Sequence, residues 1–316
     1  MTSGDLHVVT GAFGYSGRRI VERSIRAGHR VRTLTGSPRR DQPFGERVEV
    51  HPFSFDRPAQ LERSLAGAAV LYNTYWVRFD GAEHGYDRAV ANTRVLFAAA
   101  VAAGVGRVVH VSITNPSETS ALGYFRGKAV LERDLRRSGL SHSILRPAVL
   151  FGGEDILINN IAWALRRLPL FGVFGDGCYR LRPIHVDDFA ALAVAEGAGR
   201  TNRTFDAVGP ESFTYRELVG ELARALGLRR LIVPVPPAIG HFAARLLGTL
   251  VRDIVLTRDE IAGLMQGLLA TDAPATGTIR LSEWAREHAA TLGRSHASEL
   301  GRRRGRSRRQ RDRAPD

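Results

Sequence analysis

A glycine-rich loop that directly follows the first predicted strand limits the fold of this chain more than any other feature. Residues 6–10 form an apolar run typical of a strand, and the pattern from residue 16 onward is helical. Gly11 permits a tight turn, Gly14 lets the backbone approach a pyrophosphate, and Gly17 lets the helix pack against the strand. The helix N-terminus offers free N–H groups to the phosphates. The two aromatic residues inside the loop, which we assign to the same cofactor site, are Phe13 and Tyr15.

Strand and helix signals alternate through the first half of the chain. Strands are predicted at residues 31–35, 48–55, 69–75, 107–113 and 143–145, and helices at 58–65, 89–103 and 123–138. Several of these strands are continuous apolar runs, as expected when helices cover both faces of a sheet. The pattern predicts an α/β fold, a doubly wound parallel (Rossmann) sheet in a dinucleotide-binding domain over residues 1–150. Residues 151–295 are predicted to form a smaller, mostly helical substrate or cap lobe, with a late strand at about 204–208 that returns to the sheet.

Nearly half of the formal net charge of +13 lies at the C-terminal end. Residues 301–316 hold eight Arg against two Asp in a low-complexity segment, so residues 296–316 are predicted to be a basic, disordered tail. The tail has no aromatic residue to stack on bases, which argues against a nucleic-acid partner. Together with an amphipathic helix predicted at residues 238–251, it would allow contact with a membrane surface.

The single cysteine, Cys178, excludes an intrachain disulfide and a thiolate metal site. We expect a reducing, cytoplasmic location, no metal, no signal peptide and no membrane-spanning helix.

The end of the second predicted strand decides which dinucleotide binds. NAD-binding proteins usually carry an acidic residue there, which bonds the ribose 2′-hydroxyl, but this chain has none before Asp41. Ser37, Arg39 and Arg40 are instead suited to a 2′-phosphate, so NADP(H) is favoured. The alternative is that the two arginines are loop surface, and NAD(H) then remains a candidate. Asp56, at the end of the third predicted strand, is assigned to the adenine amino group or simply ends the strand.

The chain contains 44 arginines and one lysine, Lys128. Lys128 follows Tyr124 by four residues on a predicted helix, so both side chains project from one face. An ammonium beside a phenol favours the phenolate, which makes Tyr124 a candidate general acid or base.

Ser112, at the end of the fifth strand, is assigned to a substrate oxygen, with Thr114 as the competing candidate. The aromatic residues after the fourth strand, which either wall the nicotinamide pocket or pack in the core, are Tyr72, Tyr75 and Trp76.

These motifs, with the Pro183–Asp188 segment, resemble the extended or atypical short-chain dehydrogenase/reductase superfamily over residues 5–295. The most similar branch contains proteins like nucleoside-diphosphate-sugar epimerases, NmrA-like proteins and the nucleotide-binding accessory subunit of respiratory complex I. The resemblance implies that Tyr124 and Lys128 are catalytic, that Ser112 supports them, and that Pro147 lies near the nicotinamide.

The sequence therefore predicts an NADP(H)-binding oxidoreductase acting on the carbonyl or hydroxyl group of a small molecule. One alternative is a nucleotide-sugar epimerase or dehydratase that uses bound NAD. The other is a non-catalytic NAD(P)H sensor or a subunit of a larger assembly.

Overall fold

The structure is a computed structural model that describes residues 4–36, 43–77, 85–236 and 258–297, although only the backbone is described at residues 258–260. Several sequence predictions lie outside these ranges. They concern Ser37, Arg39, Arg40, the helix at residues 238–251 and the tail beyond residue 297.

Seven parallel strands form the main sheet, in the order β11-β6-β5-β4-β1-β2-β3. Their bounds are β1 Leu6–Thr10, β2 Arg30–Thr35, β3 Val48–Pro52, β4 Ala68–Asn73, β5 Arg107–Val111, β6 His142–Pro147 and β11 Arg203–Ala207. The strand order reverses direction next to β1, so the carboxyl ends of β1 and β4 lie side by side at the position where such sheets bind ligands. The doubly wound parallel sheet predicted from the sequence is confirmed.

Helices pack against this sheet in two groups. Their bounds are α1 Tyr15–Arg26, α2 Pro58–Leu65, α3 Tyr86–Ala102, α4 Gly123–Arg137 and α6 Val186–Ala198. α1 packs on α6, whereas α3 packs on both α2 and α4. The apolar core between the sheet and the second group includes Leu34, Leu71 and Ile144 from the strands and Leu61, Leu96 and Leu131 from the helices, all without solvent exposure. Because the two groups of helices cover both faces of the sheet, side chains on both faces of its strands are buried, which explains the continuous apolar strands.

The chain divides into two compact units. The sheet unit comprises residues 1–148, 186–208 and 273–277, and the second unit comprises residues 149–185, 209–272 and 278–316. The late strand is β11, which pairs with β6 inside the sheet unit. The chain thus leaves the sheet unit after Ala148 and returns to it at Val186, so no single cut separates the units.

The described helices of the second unit are accompanied by short strands that the sequence does not predict. The helices are α5 Leu157–Arg167, α7 Tyr215–Ala225, α8 Arg258–Met265 and α9 Leu281–Glu287. Three two-stranded sheets pair β7 Val149–Phe151 with β10 Pro183–His185, β9 Arg180–Leu181 with β12 Phe213–Thr214, and β8 Leu170–Phe174 with β13 Leu231–Val235. These strands are two to five residues long, which is too short for a pattern of period two to be recognised. Within the described ranges, no helix has the length and apolarity required to cross a membrane.

Candidate functional site

The glycine loop adopts the conformation that its spacing predicts. Gly11 has a φ of +69°, a conformation that favours glycine, and its N–H donates to the Leu34 carbonyl of β2 at 2.9 Å. The Gly14 N–H donates to the Gly11 carbonyl at 2.8 Å, and α1 begins at the next residue. A Cβ at Gly17 would collide with the Gly11 carbonyl oxygen and lie 3.0 Å from its carbonyl carbon. The helix therefore approaches the loop as closely as backbone allows, and its N-cap residue, Gly14, has no side chain that could cap the first turn.

Thr10 fixes the loop to the end of β4. Its Oγ1 accepts hydrogen bonds from the backbone N–H groups of Thr74 at 2.7 Å and Tyr75 at 2.9 Å. The Thr74 hydroxyl donates in return to the Thr10 carbonyl. These bonds hold the carboxyl ends of β1 and β4 together, so the loop and the residues after β4 form one edge of the site. Phe13 and Tyr15 are both half-buried at this edge.

The expected adenine side of the site differs in part from the sequence prediction. β3 ends at Pro52, so Asp56 lies four residues beyond the strand rather than at its end. The Asp56 side chain is 78% exposed and lies 3.6 Å from the Arg57 guanidinium. Three half-buried aromatic rings, which the sequence does not predict to lie together, are found just beyond the ends of β3 and β4. Phe53 contacts Phe55 and Tyr75 with ring centroids 4.9 Å apart in each pair. Aromatic residues that closely follow two strands consecutive in the sequence are the signal that could have shown this cluster.

Lys128 is 2% exposed and lies near the end of β5. Its Nζ donates to the Val111 carbonyl at 2.7 Å, lies 4.4 Å from the centroid of the Trp76 ring and 6.0 Å from that of Tyr124. Burial disfavours the charged form and lowers the pKa of Lys128 to about 7, although the negative charge of Glu132 acts in the opposite direction. The one lysine of the chain therefore changes its charge near neutral pH.

Trp76 covers the Lys128 ammonium as part of an aromatic cluster. Its ring stacks on Tyr86 with centroids 6.0 Å apart and meets Tyr124 edge-on at 5.5 Å. Gly127 makes room for the indole, because a Cβ there would lie 2.8 Å from Trp76 Cη2. The glycine between Tyr124 and Lys128 thus serves packing, at a cost of about 1 kcal/mol in helix propensity. The sequence predicts that Trp76 follows β4, but it does not predict the position of the indole over the lysine.

Ser112 and Thr114 are both buried directly after β5. Ser112 is 3% exposed, and its N–H donates to the Leu145 carbonyl of β6 at 2.8 Å. Its hydroxyl is close enough to Glu132 to help lower the pKa of that carboxyl, but no described residue meets it with good hydrogen-bond geometry. The Thr114 N–H donates to the Pro147 carbonyl at 3.1 Å, which places Pro147 beside this segment at the end of β6. A role of Ser112 in substrate binding stays a prediction.

The other two tyrosines near β4 have different environments. Tyr72 lies within β4 and has no solvent exposure; burial raises its pKa, so it packs in the core rather than lining a pocket. The Tyr75 hydroxyl accepts a hydrogen bond from Asn92 Nδ2 at 2.9 Å. Across the described part of the chain, no three His, Cys, Asp or Glu side chains are grouped so that they could hold a metal ion.

Comparisons with known proteins agree with the fold and with the glycine-loop segment. Residues 11–159 match the NAD(P)H-binding family. Curated relatives include the mitochondrial NADH dehydrogenase [ubiquinone] 1 alpha subcomplex subunit 9 of Arabidopsis thaliana, 27% identical over 68% of this chain and 56% of the relative. A ceramide reductase of Caulobacter vibrioides is 27% identical over 72% of this chain and 73% of the relative. The chain spans 56% and 63% of the length of subunit 9 from Arabidopsis thaliana and Dictyostelium discoideum, less than two thirds in both.

Solved structures share the fold at lower identity. The NADPH-dependent quinone oxidoreductase of Escherichia coli, solved with NADPH, has a TM-score of 0.71 at 22% identity, covering 90% of this chain and 99% of that one. The UDP-glucose 4-epimerase of Thermotoga maritima has a TM-score of 0.61 at 20% identity, covering 73% and 86%. The resemblance drawn from the sequence motifs is confirmed: residues 11–159 match the NAD(P)H-binding family, curated relatives include complex I subunits, and the Rossmann fold is shared with solved reductases and epimerases.

Proposed function

We propose that this chain, whose residues 11–159 match the NAD(P)H-binding family, is an NADP(H)-dependent oxidoreductase. Its substrate would be the carbonyl or hydroxyl group of a small molecule in the cytoplasm. The observation that carries the proposal is the position of Lys128. The one lysine of an arginine-rich chain is buried one helical turn after Tyr124, beside the carboxyl end of β5. A buried lysine beside a phenol suits proton transfer.

The glycine loop fits a dinucleotide. A Cβ at Gly17 would fill the space in which α1 meets the loop, and the uncapped N-terminus of α1 provides N–H groups for the pyrophosphate. The preference for NADP(H) is supported by β2, in which no residue from Arg30 to Gly36 is acidic. Ser37, Arg39 and Arg40 would hold the 2′-phosphate.

In the proposed reaction, Tyr124 exchanges a proton with the substrate oxygen while the bound nicotinamide supplies or accepts the hydride. A charged Lys128 stabilises the Tyr124 phenolate. This support is lost as the pH rises through the pKa of Lys128, about 7, because the ammonium becomes neutral. Ser112 would support the substrate oxygen, as the resemblance implies.

Replacing Tyr124 with phenylalanine tests the proposal. NADPH oxidation would be measured with a panel of small ketones, aldehydes and quinones, alongside calorimetric NADPH binding. We expect turnover to fall by at least about 100-fold, with NADPH affinity changed less than twofold. Tyr75→Phe is the matched control, because it removes a hydroxyl bonded to Asn92 at the same edge of the sheet. Turnover by Tyr124→Phe equal to that of the wild type would refute the proposed acid–base role.

A second candidate is a non-catalytic NAD(P)H-binding subunit of a larger assembly. Two observations favour it: curated relatives are subunits of mitochondrial NADH dehydrogenase, and Trp76 covers Lys128. This function predicts tight NADPH binding without oxidation by any member of the panel, in wild type and Tyr124→Phe alike.

A further inference from the structure

A buried carboxylate lies one helical turn beyond Lys128. Glu132 is 1% exposed and accepts two hydrogen bonds from Arg146, at 2.8 and 2.5 Å, and a third from Arg136 at 2.7 Å. Burial alone would raise the pKa of Glu132, but the hydrogen bonds and charge of Arg146 hold it below the ordinary value. The carboxylate is therefore ionised at neutral pH.

The contacts of Glu132 join the two elements that hold the proposed site. Glu132 lies on α4 with Tyr124 and Lys128, whereas Arg146 lies on β6 directly before Pro147. The two-point contact between a carboxylate and a guanidinium fixes both distance and orientation. The helix that carries the acid–base pair is thereby tied to the strand end at Pro147, and the Ser112 hydroxyl lies close to the same carboxylate.

Charged and titratable groups face Lys128 from several elements. On α4 they are Tyr124 and Glu132, and the partner of Glu132 on β6 is Arg146. On β5, His110 is fully buried, and burial together with the charge of Lys128 lowers its pKa well below the ordinary value, so it is neutral. Trp76, after β4, presents an aromatic face. Among the described residues, Glu132 is the carboxylate whose charge acts on Lys128.

We propose that Glu132 is a positioning residue for Lys128: anchored to β6 by Arg146, its carboxylate supplies the counter-charge that keeps the buried ammonium protonated at the end of β5. The importance of this role for catalysis rests on the proposed function. The electrostatic role itself belongs to the free protein and does not depend on turnover.

The single lysine makes a direct test feasible. Protein labelled with ¹³Cε-lysine gives one lysine side-chain NMR signal, and its shift against pH reports the protonation of Lys128 alone. We expect Glu132→Gln to move the titration midpoint down by about one pH unit, a tenfold loss of proton affinity. Glu132→Asp, which keeps the charge, should restore at least half of that shift.

Asp134→Asn is the matched control. Asp134 lies on the same helix and also pairs with an arginine, Arg94 at 2.7 Å, but this pair joins α4 to α3. The Lys128 midpoint in this variant should stay within about 0.3 pH unit of the wild type, because Asp134 is only half-buried and solvent screens its charge more than that of the buried Glu132. A midpoint unchanged in folded Glu132→Gln, or moved equally by Asp134→Asn, would overturn the proposal.

Removing one partner of a buried ion pair can prevent folding. The double variant Glu132→Gln/Arg146→Met also removes the arginine that would be left unpaired. The Lys128 midpoint in this variant should still move down, by about half a pH unit, and an unchanged midpoint would refute the proposal.

If the protein turns over, Glu132→Gln should move the kcat pH profile by the same amount as the NMR midpoint, with KM for NADPH changed less than threefold. Turnover retained in Tyr124→Phe would refute the proposed function but leave the NMR result intact.

Discussion

Gly17→Ala is the most direct perturbation of the glycine loop. The added Cβ would collide with the Gly11 carbonyl oxygen and lie 3.0 Å from the carbonyl carbon, both of which are backbone atoms. Neither atom can rotate away, so α1 or the loop must shift. Overpacking of this kind costs about 1–3 kcal/mol. If the whole cost falls on the loop conformation that binds cofactor, affinity for NADPH should fall by about 5- to 150-fold, since 1.4 kcal/mol corresponds to a factor of ten.

The assay is calorimetric titration of Gly17→Ala with NADPH at fixed salt, with urea unfolding as the measure of stability. Gly220→Ala is the matched control, because Gly220 also lies in a helix, α7, but its Cβ would approach nothing closer than Ile232 Cδ1 at 3.9 Å. Gly220→Ala should leave NADPH affinity unchanged and raise stability by up to about 1 kcal/mol, from helix propensity. Wild-type NADPH affinity in folded Gly17→Ala would refute the argument that the loop is a closely packed phosphate cradle.

Two further predictions concern the aromatic cover of Lys128 and a buried histidine. Gly127→Ala should displace Trp76, because Trp76 Cη2 would lie 2.8 Å from the new Cβ. Water would then reach the Lys128 ammonium, so the titration midpoint of the Lys128 ¹³Cε signal should rise. An unchanged midpoint would mean that Trp76 does not exclude water from the ammonium. His7 is fully buried and stacked on His29 at 3.9 Å, and burial lowers its pKa to about 4 from the ordinary 6.5. The unfolded chain therefore binds an extra proton between these values, so the free energy of unfolding should fall by about 3 kcal/mol as the pH drops from 6.5 to 4. Urea unfolding at several pH values should show this loss in the wild type and a smaller one in His7→Gln; equal losses would contradict the prediction.

Local patterns in the sequence predicted the features that depend on neighbouring residues. The spacing of Gly11, Gly14 and Gly17 indicated the loop because a tight turn and a close helix approach each require glycine at a fixed offset. The Tyr124–Lys128 pair followed from helical periodicity in the same way. These signals need no knowledge of the rest of the molecule.

Contacts between distant segments could not be predicted in this way. Trp76 reaches Lys128 across 52 positions of sequence, and only the packing of α4 against the segment after β4 brings them together. The pairing of Arg146 with Glu132 depends on how α4 packs against β6. Asp56 was placed at a strand end because its strand was predicted three residues too long, and the structure shows it exposed beyond Pro52. Side-chain burial of this kind is set by tertiary packing, which single-sequence patterns do not contain.

The central claim, that the glycine loop binds NADP(H), is tested most directly by calorimetric titration of the wild-type protein with NADPH, NADP⁺, NADH and NAD⁺ at one salt concentration. The proposed site predicts that NADPH binds at least tenfold more tightly than NADH, and that Gly17→Ala weakens NADPH binding while Gly220→Ala does not. Binding of none of the four nucleotides would contradict the cofactor assignment. Tighter binding of NADH would contradict the roles proposed for Ser37, Arg39 and Arg40.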